Sequence, residues 1–595
     1  MTTTPPMVDP HTDAPDPRTS PFSGTAAELL VECLNRAGVD TIFGVPGDTG
    51  VGLYDALYHR TGAVRHVLGR DERHAAAMAD AYARVTNRVG VVEVSSGGGT
   101  TYVVGGLGES FAASVPILLI TSDIHVSSRG TGALTEIDQT KLFSAVTKWC
   151  RTVEDPADIP GAVAEALRQA VSGRPAPVAL IFPENVLDEP VRVAPEAFPA
   201  ETVDELPADR PAAEQASVTA AARALAQARR PAVLAGSGVH VSQAWQALAE
   251  LAEAGGIPVG TSIHGKGALS DAHPWLLGVV GANGAREYAN AYLREADTVL
   301  LVGTRANATD TNSWTGPAQT GPTVIAIDVC AERTGRNFPD AIRLTGDART
   351  VLEQLTAALP EVDVQGREER RAWVAAERAA WRPARPDAAT RALSVPRLSP
   401  RQVVQVAKEV MGDCLVIADP GTPTPNVASY WDVDGPGRSV IVPRGHGPMG
   451  YAIPAAVGAA FARPGEPILS ITADGSFAMS CGELETVARF GLPIIFIQLT
   501  NYSLGWIKML QHLYEGERYF GVDPGPTDAV LVAQASGLPA ARVTSLDELA
   551  DALQRAKTDR TPLYLDVPVS DLMTETPPVA PWQAALDGDA QRPVY

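Results

Sequence analysis

Short apolar runs recur along the chain and alternate with longer segments of helical periodicity. In the first third these runs lie at 41–43, 64–68, 91–94, 117–121 and 178–182. Similar runs follow at 231–234, 258–261, 298–302 and 324–328, and again at 414–418, 468–472, 493–498 and 563–567. Alternation of buried strands with helices is typical of parallel sheets covered by helices. The pattern predicts an α/β fold with three parallel-sheet domains.

Polar, proline-rich stretches separate these segments and give the domain boundaries. We predict domains at 25–190, 217–360 and 399–571, joined by a linker at 191–216 and a connector at 361–398. Residues 1–24 are rich in proline, threonine and aspartate, which predicts a disordered tail, and 572–595 are predicted as a C-terminal tail.

Composition narrows the classes of function. The 595 residues carry 48 basic and 69 acidic side chains, a net charge of −21, which disfavours nucleic acid as a partner. The apolar runs are too short to span a bilayer, and the N-terminus lacks the basic and apolar regions of a signal peptide. Five scattered cysteines without C-x-x-C spacing suit a reducing compartment, so we expect a cytoplasmic protein without a membrane partner.

Two consecutive strand ends carry candidate metal ligands. The run 468–472 leads into Asp474, Gly475 and Ser476 at the start of a helix, where backbone N–H groups favour a phosphate. Asn501 follows the next strand. A carboxylate and an amide oxygen, with a carbonyl and phosphate oxygens, suit Mg²⁺. Taken singly, Asp474 is typical of a helix cap and Asn501 of a turn, but the ordered pair is more specific.

The stretch from Asp474 to Asn501, which stand 27 positions apart, resembles the cofactor motif of the thiamine-diphosphate (ThDP) superfamily of pyruvate oxidase, acetolactate synthase and benzoylformate decarboxylase. The resemblance extends over almost the whole globular chain. It implies three domains in the order pyrimidine-binding, central Rossmann-like and diphosphate-binding. It also implies that Asp474, Asn501 and the carbonyl of Ser503 bind Mg²⁺. The residues implied to contact ThDP in this domain are Gly475, Ser476, Gly421 and Thr422.

Two further segments carry the resemblance. The segment 445–456 is similar to the family segment that supports the bent cofactor, so the Gly447 carbonyl would accept a bond from the pyrimidine amino group and Met449 would lie between the two rings. Glu72 follows the run 64–68, where the family places the catalytic glutamate that hydrogen-bonds the pyrimidine and activates C2. On their own, Met449 is typical of a core and Glu72 of a helix N-terminus.

The resemblance also implies an assembly and leaves one cofactor open. In the family the glutamate and the diphosphate site come from different subunits, which implies a homodimer or homotetramer. In the central domain, 236–239 is a truncated dinucleotide fingerprint without its third glycine, and the segments 264–267 and 303–305, with His264 and Arg305, match places where acetolactate synthases hold FAD. FAD is nevertheless not favoured, because 306–310 differs from their Asp-rich continuation.

The resemblance implies a reaction that begins with decarboxylation of a 2-oxo acid. We favour a carboligase that transfers the acyl unit to an unknown carbonyl acceptor. The alternatives are a simple 2-oxo-acid decarboxylase and, from a different class, a non-catalytic cofactor-binding subunit. Trp506, His446 and Gln139 are candidates for the substrate pocket. Leu510 stands where acetolactate synthases carry a tryptophan, which weakens an assignment to branched-chain amino-acid synthesis.

Overall fold

A computed structural model describes residues 21–60, 62–199, 204–282, 286–381, 383–588 and 592. Residues 1–20 of the predicted N-terminal tail lie outside them, as do 200–203 of the predicted linker and 589–591 and 593–595 of the predicted C-terminal tail. The described residues contain three six-stranded parallel sheets, and most of the strands are buried on both faces. The predicted fold class is confirmed.

The first sheet lies in the N-terminal third of the chain. Its domain contains β1 (Phe22–Thr25), α1 (Ala26–Arg36), β2 (Thr41–Val45), α2 (Val51–His59), β3 (Arg65–Leu68), α3 (Glu72–Thr86), β4 (Gly90–Val94), α4 (Gly98–Ala113), β5 (Ile117–Asp123), α5 (Gln139–Phe143), β6 (Trp149–Thr152), α6 (Ile159–Val171), β7 (Val178–Pro183), α7 (Glu184–Asp188) and β8 (Pro190–Val193). The strand order is β3-β2-β4-β5-β7-β6. β1 pairs with β8 in an antiparallel ribbon, so residues 22–24 of the segment predicted as a tail belong to a strand. Thr25 then starts α1 through a capping box with Glu28.

The second sheet forms the central domain. Its elements are α8 (Gln215–Gln227), β9 (Pro231–Ala235), α9 (Gly238–Val241), α10 (Trp245–Gly255), β10 (Val259–Thr261), β11 (Leu276–Val279), α11 (Glu287–Glu295), β12 (Thr298–Val302), β13 (Thr323–Asp328), β14 (Ile342–Thr345) and α12 (Ala348–Ala358). The strand order is β11-β10-β9-β12-β13-β14. Two helices, α13 (Val364–Trp381) and α14 (Ala388–Ala392), occupy the connector to the next domain.

The third sheet positions most of the predicted site. Its domain contains α15 (Pro400–Met411), β15 (Leu415–Ala418), α16 (Pro423–Tyr430), β16 (Val440–Ile441), α17 (Ala452–Ala462), β17 (Ile468–Ala473), α18 (Asp474–Ser480), α19 (Leu484–Phe490), β18 (Ile494–Thr500), α20 (Gly505–Tyr514), α21 (Ala529–Ala535), β19 (Ala540–Arg542), α22 (Leu546–Asp559), β20 (Leu563–Pro568) and α23 (Ala580–Leu586). The strand order is β16-β15-β17-β18-β20-β19. The carboxyl ends of β15, β17 and β18 therefore lie side by side.

The first and third domains share a core. Helix α3 crosses α17 so closely that a Cβ atom on Gly458 would lie 1.9 Å from the Met78 carbonyl oxygen. Only a residue without a side chain allows this approach. The buried side chains of Met78, Ile453 and Phe477 belong to one apolar cluster that spans both domains. The relative position of the two domains is thus fixed by packing, which matters for the site described below.

The C-terminal segment is packed more closely than a tail. Leu572, Val579 and Trp582 are buried and form an apolar cluster with Met509 of α20. The ring centroids of Trp582 and Trp506 are 4.2 Å apart. The described part of this segment therefore supports the helix that follows the predicted metal ligands.

The structure bears on whether a helix could span a membrane and on whether the cysteines form disulfides. Every helix of the described residues is too short or too polar to cross a bilayer. The five cysteines are free thiols, in agreement with their scattered spacing.

Candidate functional site

The carboxyl ends of β15, β17 and β18 border a cleft of about 760 Å³. Parallel strands place their ends at one edge of a sheet, and ligands of such sheets bind there. Nine of the predicted site residues line this cleft, namely Gly421, Thr422, Gly447, Met449, Asp474, Gly475, Asn501, Ser503 and Trp506. Residues that are far apart in the sequence therefore converge on one surface.

Asp474 and Asn501 are in direct contact across the two strand ends. Oδ2 of Asp474 accepts hydrogen bonds from the backbone N–H groups of Asn501 at 3.2 Å and Tyr502 at 2.6 Å. Oδ1 accepts from the N–H group of Gly475 at 2.9 Å. The amide oxygen of Asn501 in turn accepts from the N–H group of Ser503 at 3.1 Å. These bonds fix both side chains at the cleft wall.

The charge at this point is suited to a cation. Burial raises the pKa of Asp474, while the backbone N–H groups of Tyr502, Gly475 and Asn501 lower it. Among the ion pairs of the described residues, none involves Asp474. A part-buried carboxylate without a cationic partner, an amide oxygen and backbone carbonyls form a hard-oxygen donor set that fits Mg²⁺. The described residues contain no cluster of three or more His, Cys, Asp or Glu that would hold a metal without further ligands.

The loop after β18 has an unusual backbone. Tyr502 has φ of 59°, in the left-handed region that residues other than glycine seldom occupy. A Cβ atom on Gly505 would lie 2.6 Å from Nδ2 of Asn501. The loop therefore presents Asn501 only because Tyr502 adopts this conformation and Gly505 has no side chain.

Gly447 and Met449 also line the cleft. Gly447 has φ of +72°, which favours glycine. Met449 is 38% exposed, so the alternative that it is a core residue is wrong. Its terminal methyl group lies 3.1 Å from the position that a Cβ atom on Gly475 would occupy. Met449 therefore projects over the start of α18, next to the predicted metal ligand Asp474.

Besides Glu72, which is described in the next paragraph, three predicted residues do not line the cleft. Ser476 is fully buried behind it. His446 is exposed, and its ring lies against α4 at Gly108. Gln139 is buried in the first domain, where it accepts a bond from the Thr121 hydroxyl at 3.0 Å and donates to the Ser122 carbonyl at 2.9 Å. The polar ends of Gln139 are thus used within the first domain.

Glu72 is the first residue of α3, and the Asp71 side chain caps that helix by accepting the N–H group of Arg73 at 2.8 Å. The carboxylate of Glu72 lies near Gly99, because a Cβ atom on Gly99 would be 3.3 Å from Oε1 of Glu72. Glu72 is not among the residues that line the cleft around Asp474. Within one chain, the predicted acid and the predicted metal ligands are therefore separate.

A second cavity lies between the first and central domains. The segments considered for FAD converge there, since 237–238, His264 and Arg305 line it. The guanidinium of Arg305 donates to the backbone carbonyls of Ala112 at 3.0 Å and Arg444 at 3.3 Å. This cation is already bonded to the protein, so a flavin would have to share it.

Two buried acids near the cleft were not among the predicted site residues. Asp419 follows β15 and accepts from the N–H groups of Tyr451 and Ala452, and burial raises its pKa to about 6. Glu109 lies in α4 and accepts N–H groups of the turn before Gly447. Glu109 is the only charged residue in the stretch 98–113, and this signal could have identified it.

Comparisons with known proteins identify the family. Residues 24–142 match the family model described as the thiamine pyrophosphate enzyme N-terminal TPP binding domain, 218–355 match the central domain, and 419–567 match the C-terminal TPP binding domain. The chain belongs to the thiamine pyrophosphate enzyme family. All three domains of such an enzyme are present, in the order that the resemblance implied.

Relatives of this ThDP enzyme align along most of their length. A probable acetolactate synthase large subunit of Methanocaldococcus jannaschii is 32% identical, over 93% of this chain and 93% of the relative. The acetolactate synthase isozyme 3 large subunit of Escherichia coli is 31% identical, over 92% and 95%. The isozyme 2 large subunit of the same bacterium is 32% identical, over 93% and 97%.

Proposed function

We propose that this ThDP enzyme is a Mg²⁺-dependent carboligase that decarboxylates a 2-oxo acid and transfers the acyl unit to a carbonyl acceptor. The observation that carries this proposal is the cleft in which Asp474, Asn501 and Ser503 face Gly447 and Met449. The relatives named acetolactate synthase support carboligation over other reactions of the family.

Each wall of the cleft has a role in this proposal. Asp474, Asn501 and Ser503 hold Mg²⁺, which neutralises the diphosphate group. Gly421, Thr422 and Gly475 provide backbone near that group, with Ser476 supporting them from behind. When bound, ThDP supplies the reactive carbon and the electron sink for decarboxylation.

Gly447 and Met449 would orient the cofactor. The carbonyl of Gly447 would accept a hydrogen bond from the amino group of the pyrimidine ring, and Met449 would lie between the two rings. The exposure of the Met449 side chain in the cleft supports this role, because a flexible apolar side chain can fill the space between two rings.

Glu72 reaches the cofactor from a neighbouring copy of the chain. Its separation from the cleft of its own chain supports a homodimer or a homotetramer as the active form. Exposed apolar side chains on both domains also favour a covered surface. They are Val51 (65% exposed), Tyr58 (75%), Tyr102 (58%) and Leu134 (84%) in the first domain, and Met479 (47%), Ile507 (46%) and Phe520 (89%) in the third.

The substrate pocket adjoins α20. Trp506 lines the cleft and is supported by Trp582, so it can close the pocket over a small 2-oxo acid. Leu510 packs, like Trp506, against the apolar cluster that contains Met509 and Trp582. His446 and Gln139 stay predictions of lower weight, because neither lines this cleft.

FAD is not part of the proposal, because Arg305 is bonded to backbone carbonyls. We expect the purified enzyme to lack the visible absorption of flavin. A cytoplasmic location stays a prediction from the cysteine pattern.

Product analysis tests the proposal. The enzyme is incubated with ThDP, Mg²⁺ and a panel of 2-oxo acids, with and without aldehyde, ketone or acyl-thioester acceptors, and products are identified by mass spectrometry. A carboligase gives acceptor-dependent condensation products. Free aldehyde as the main product with every acceptor would instead establish a simple decarboxylase. No turnover of any 2-oxo acid by ThDP-loaded protein would support a non-catalytic subunit.

A further inference from the structure

A buried glutamate of the first domain holds the turn that carries Gly447. Glu109 is 1% exposed and lies on α4. Its Oε1 accepts the N–H group of Gly445 at 2.9 Å, and its Oε2 accepts those of His446 at 2.7 Å and Gly447 at 3.2 Å. Three consecutive backbone amides thus donate to one carboxylate.

Glu109 and Asp80 share one cation inside the protein, the guanidinium of Arg84. Nη2 of Arg84 lies 3.3 Å from Oε1 of Glu109, and Nε of the same guanidinium lies 2.6 Å from Oδ1 of Asp80. Asp80 also accepts the hydroxyl of Tyr451, which follows the turn. Hydrogen bonds to a charged group are stronger than those between neutral groups, so the Glu109 carboxylate holds the backbone of the turn in place.

The turn and α4 also approach each other closely. A Cβ atom on Gly445 would lie 2.8 Å from the backbone oxygen of Glu109 and 3.0 Å from Cβ of Ala112. Gly447, two residues later, has φ of +72°. The path of the turn therefore depends on glycine at both positions and on the carboxylate that its amides face.

We propose that Glu109 is a positioning residue, which holds the turn 445–447 so that the Gly447 carbonyl faces the aminopyrimidine ring of the cofactor. The purpose assigned to this contact rests on the proposed function. Glu109 is outside the cleft and touches no substrate, so it acts through the turn. Because Glu109 belongs to the first domain and the turn to the third, the orientation of the cofactor depends on how these two domains of one chain pack.

The test compares Glu109→Gln with a matched variant, Glu483→Gln. Glu483 is fully buried and also joins the first and third domains, because it accepts the N–H group of Arg70 at 2.8 Å and pairs with His74 at 3.1 Å. Glu483 makes no hydrogen bond to the turn. The readouts are hydrogen–deuterium exchange of peptides that cover the turn, the affinity for ThDP with Mg²⁺, the circular dichroism of bound cofactor, and kcat and KM.

Glutamine has one oxygen and an NH₂ group, so it cannot accept all three amides. Because a buried N–H group loses its charged acceptor, we expect the rate of hydrogen–deuterium exchange in the turn to rise about tenfold. The Kd for ThDP should also rise about tenfold. We expect kcat to fall, the KM of the 2-oxo acid to stay within about twofold, and the circular dichroism of bound ThDP to change. Glu483→Gln should leave the turn and these readouts as in the parent.

The proposal is overturned if folded Glu109→Gln keeps parental exchange in the turn, or if exchange rises while ThDP affinity and the cofactor spectrum do not change. Equal effects in Glu483→Gln would also overturn it. If Glu109→Gln does not fold, Glu109→Asp is measured instead, since it keeps the charge but is one methylene too short to reach all three amides. A parent protein that binds no ThDP would refute the proposed function, whereas the effect on exchange would still report the hold of Glu109 on the turn.

Discussion

The buried carboxyl of Glu93 makes the stability of the first domain depend on pH. Glu93 lies on β4 and is 1% exposed. Its Oε2 accepts the hydroxyl of Tyr54, which also bonds Nε2 of His66 at 3.0 Å. Its Oε1 has no hydrogen-bond partner among the residues that the structure describes. A Cβ atom on Gly44 would lie 2.8 Å from Oε2 of Glu93, so glycine at that position makes room for this group.

Burial is the main reason that the pKa of Glu93 rises from 4.5 to about 8, and the charge of Glu72 raises it further. The bond from Tyr54 opposes this rise. Burial also lowers the pKa of His66 to about 4, so its ring is neutral at pH 7. Near neutral pH the folded protein therefore keeps a proton on Glu93 that the unfolded chain has released.

This difference determines the sign of the effect. Between pH 4.5 and 8 the folded state binds more protons than the unfolded state, so the free energy of unfolding falls as the pH rises. At about 1.4 kcal/mol per pH unit, the rise in pKa from 4.5 to about 8 gives a loss of at most about 5 kcal/mol. Below pH 4.5 the group is protonated in both states and the effect vanishes.

Glu93→Gln removes the titrating proton and keeps an oxygen for Tyr54. We expect the variant and the parent to have similar melting temperatures near pH 5, and the variant to become progressively more stable than the parent towards pH 8. Thermal melts at half-unit pH steps measure this, and Glu332→Gln, at an exposed site, is the control. A constant difference between Glu93→Gln and the parent across pH 5 to 8 would refute the reasoning.

Three other changes test the site itself. Gly505→Ala should displace Asn501, because the new Cβ atom would lie 2.6 Å from Nδ2 of Asn501. The Mg²⁺ concentration needed for half-maximal ThDP binding should then rise about tenfold, as measured by titration with tryptophan fluorescence. An unchanged concentration would contradict the assigned geometry. Glu72→Gln should retain ThDP binding but lose turnover, and full activity in that variant would exclude the assigned role. Trp582→Ala should destabilise α20 by about 3 kcal/mol, as measured by urea melts, and should raise the KM of the 2-oxo acid in steady-state kinetics because Trp506 loses its support. Parental values in both measurements would contradict the packing.

The central strands were predictable from the sequence, whereas all the edge strands of the parallel sheets except β3 were missed. Apolar runs identified β9, β12, β17 and β18, which are covered on both faces. The missed strands of the parallel sheets, β6, β11, β14, β16 and β19, are all at edges. Edge strands have one neighbour and are often short and half exposed, so they lack a long apolar run. β19, for example, has three residues and none is fully buried.

Some residues of the candidate site were predictable from local sequence, whereas others depend on contacts between distant parts of the chain. Asp474 and Asn501 were found because both follow central strands, and the ends of such strands meet. Ser476 and Gln139 were assigned to the site, but they lie behind or away from the cleft, since sequence spacing does not show which way a side chain points. The hold of Glu109 on the turn joins two domains across more than 300 positions and has no local pattern.

The central claim is that one site is completed by Glu72 of one chain and Asp474 of another. Two inactive variants, Glu72→Gln and Asp474→Ala, are co-expressed with different affinity tags, and the mixed oligomers are isolated by tandem purification. Each mixed dimer then has one site with both changes and one site with neither, so specific activity should recover to about half of the parental value. Mixed dimers that stay as inactive as either variant alone would contradict the claim.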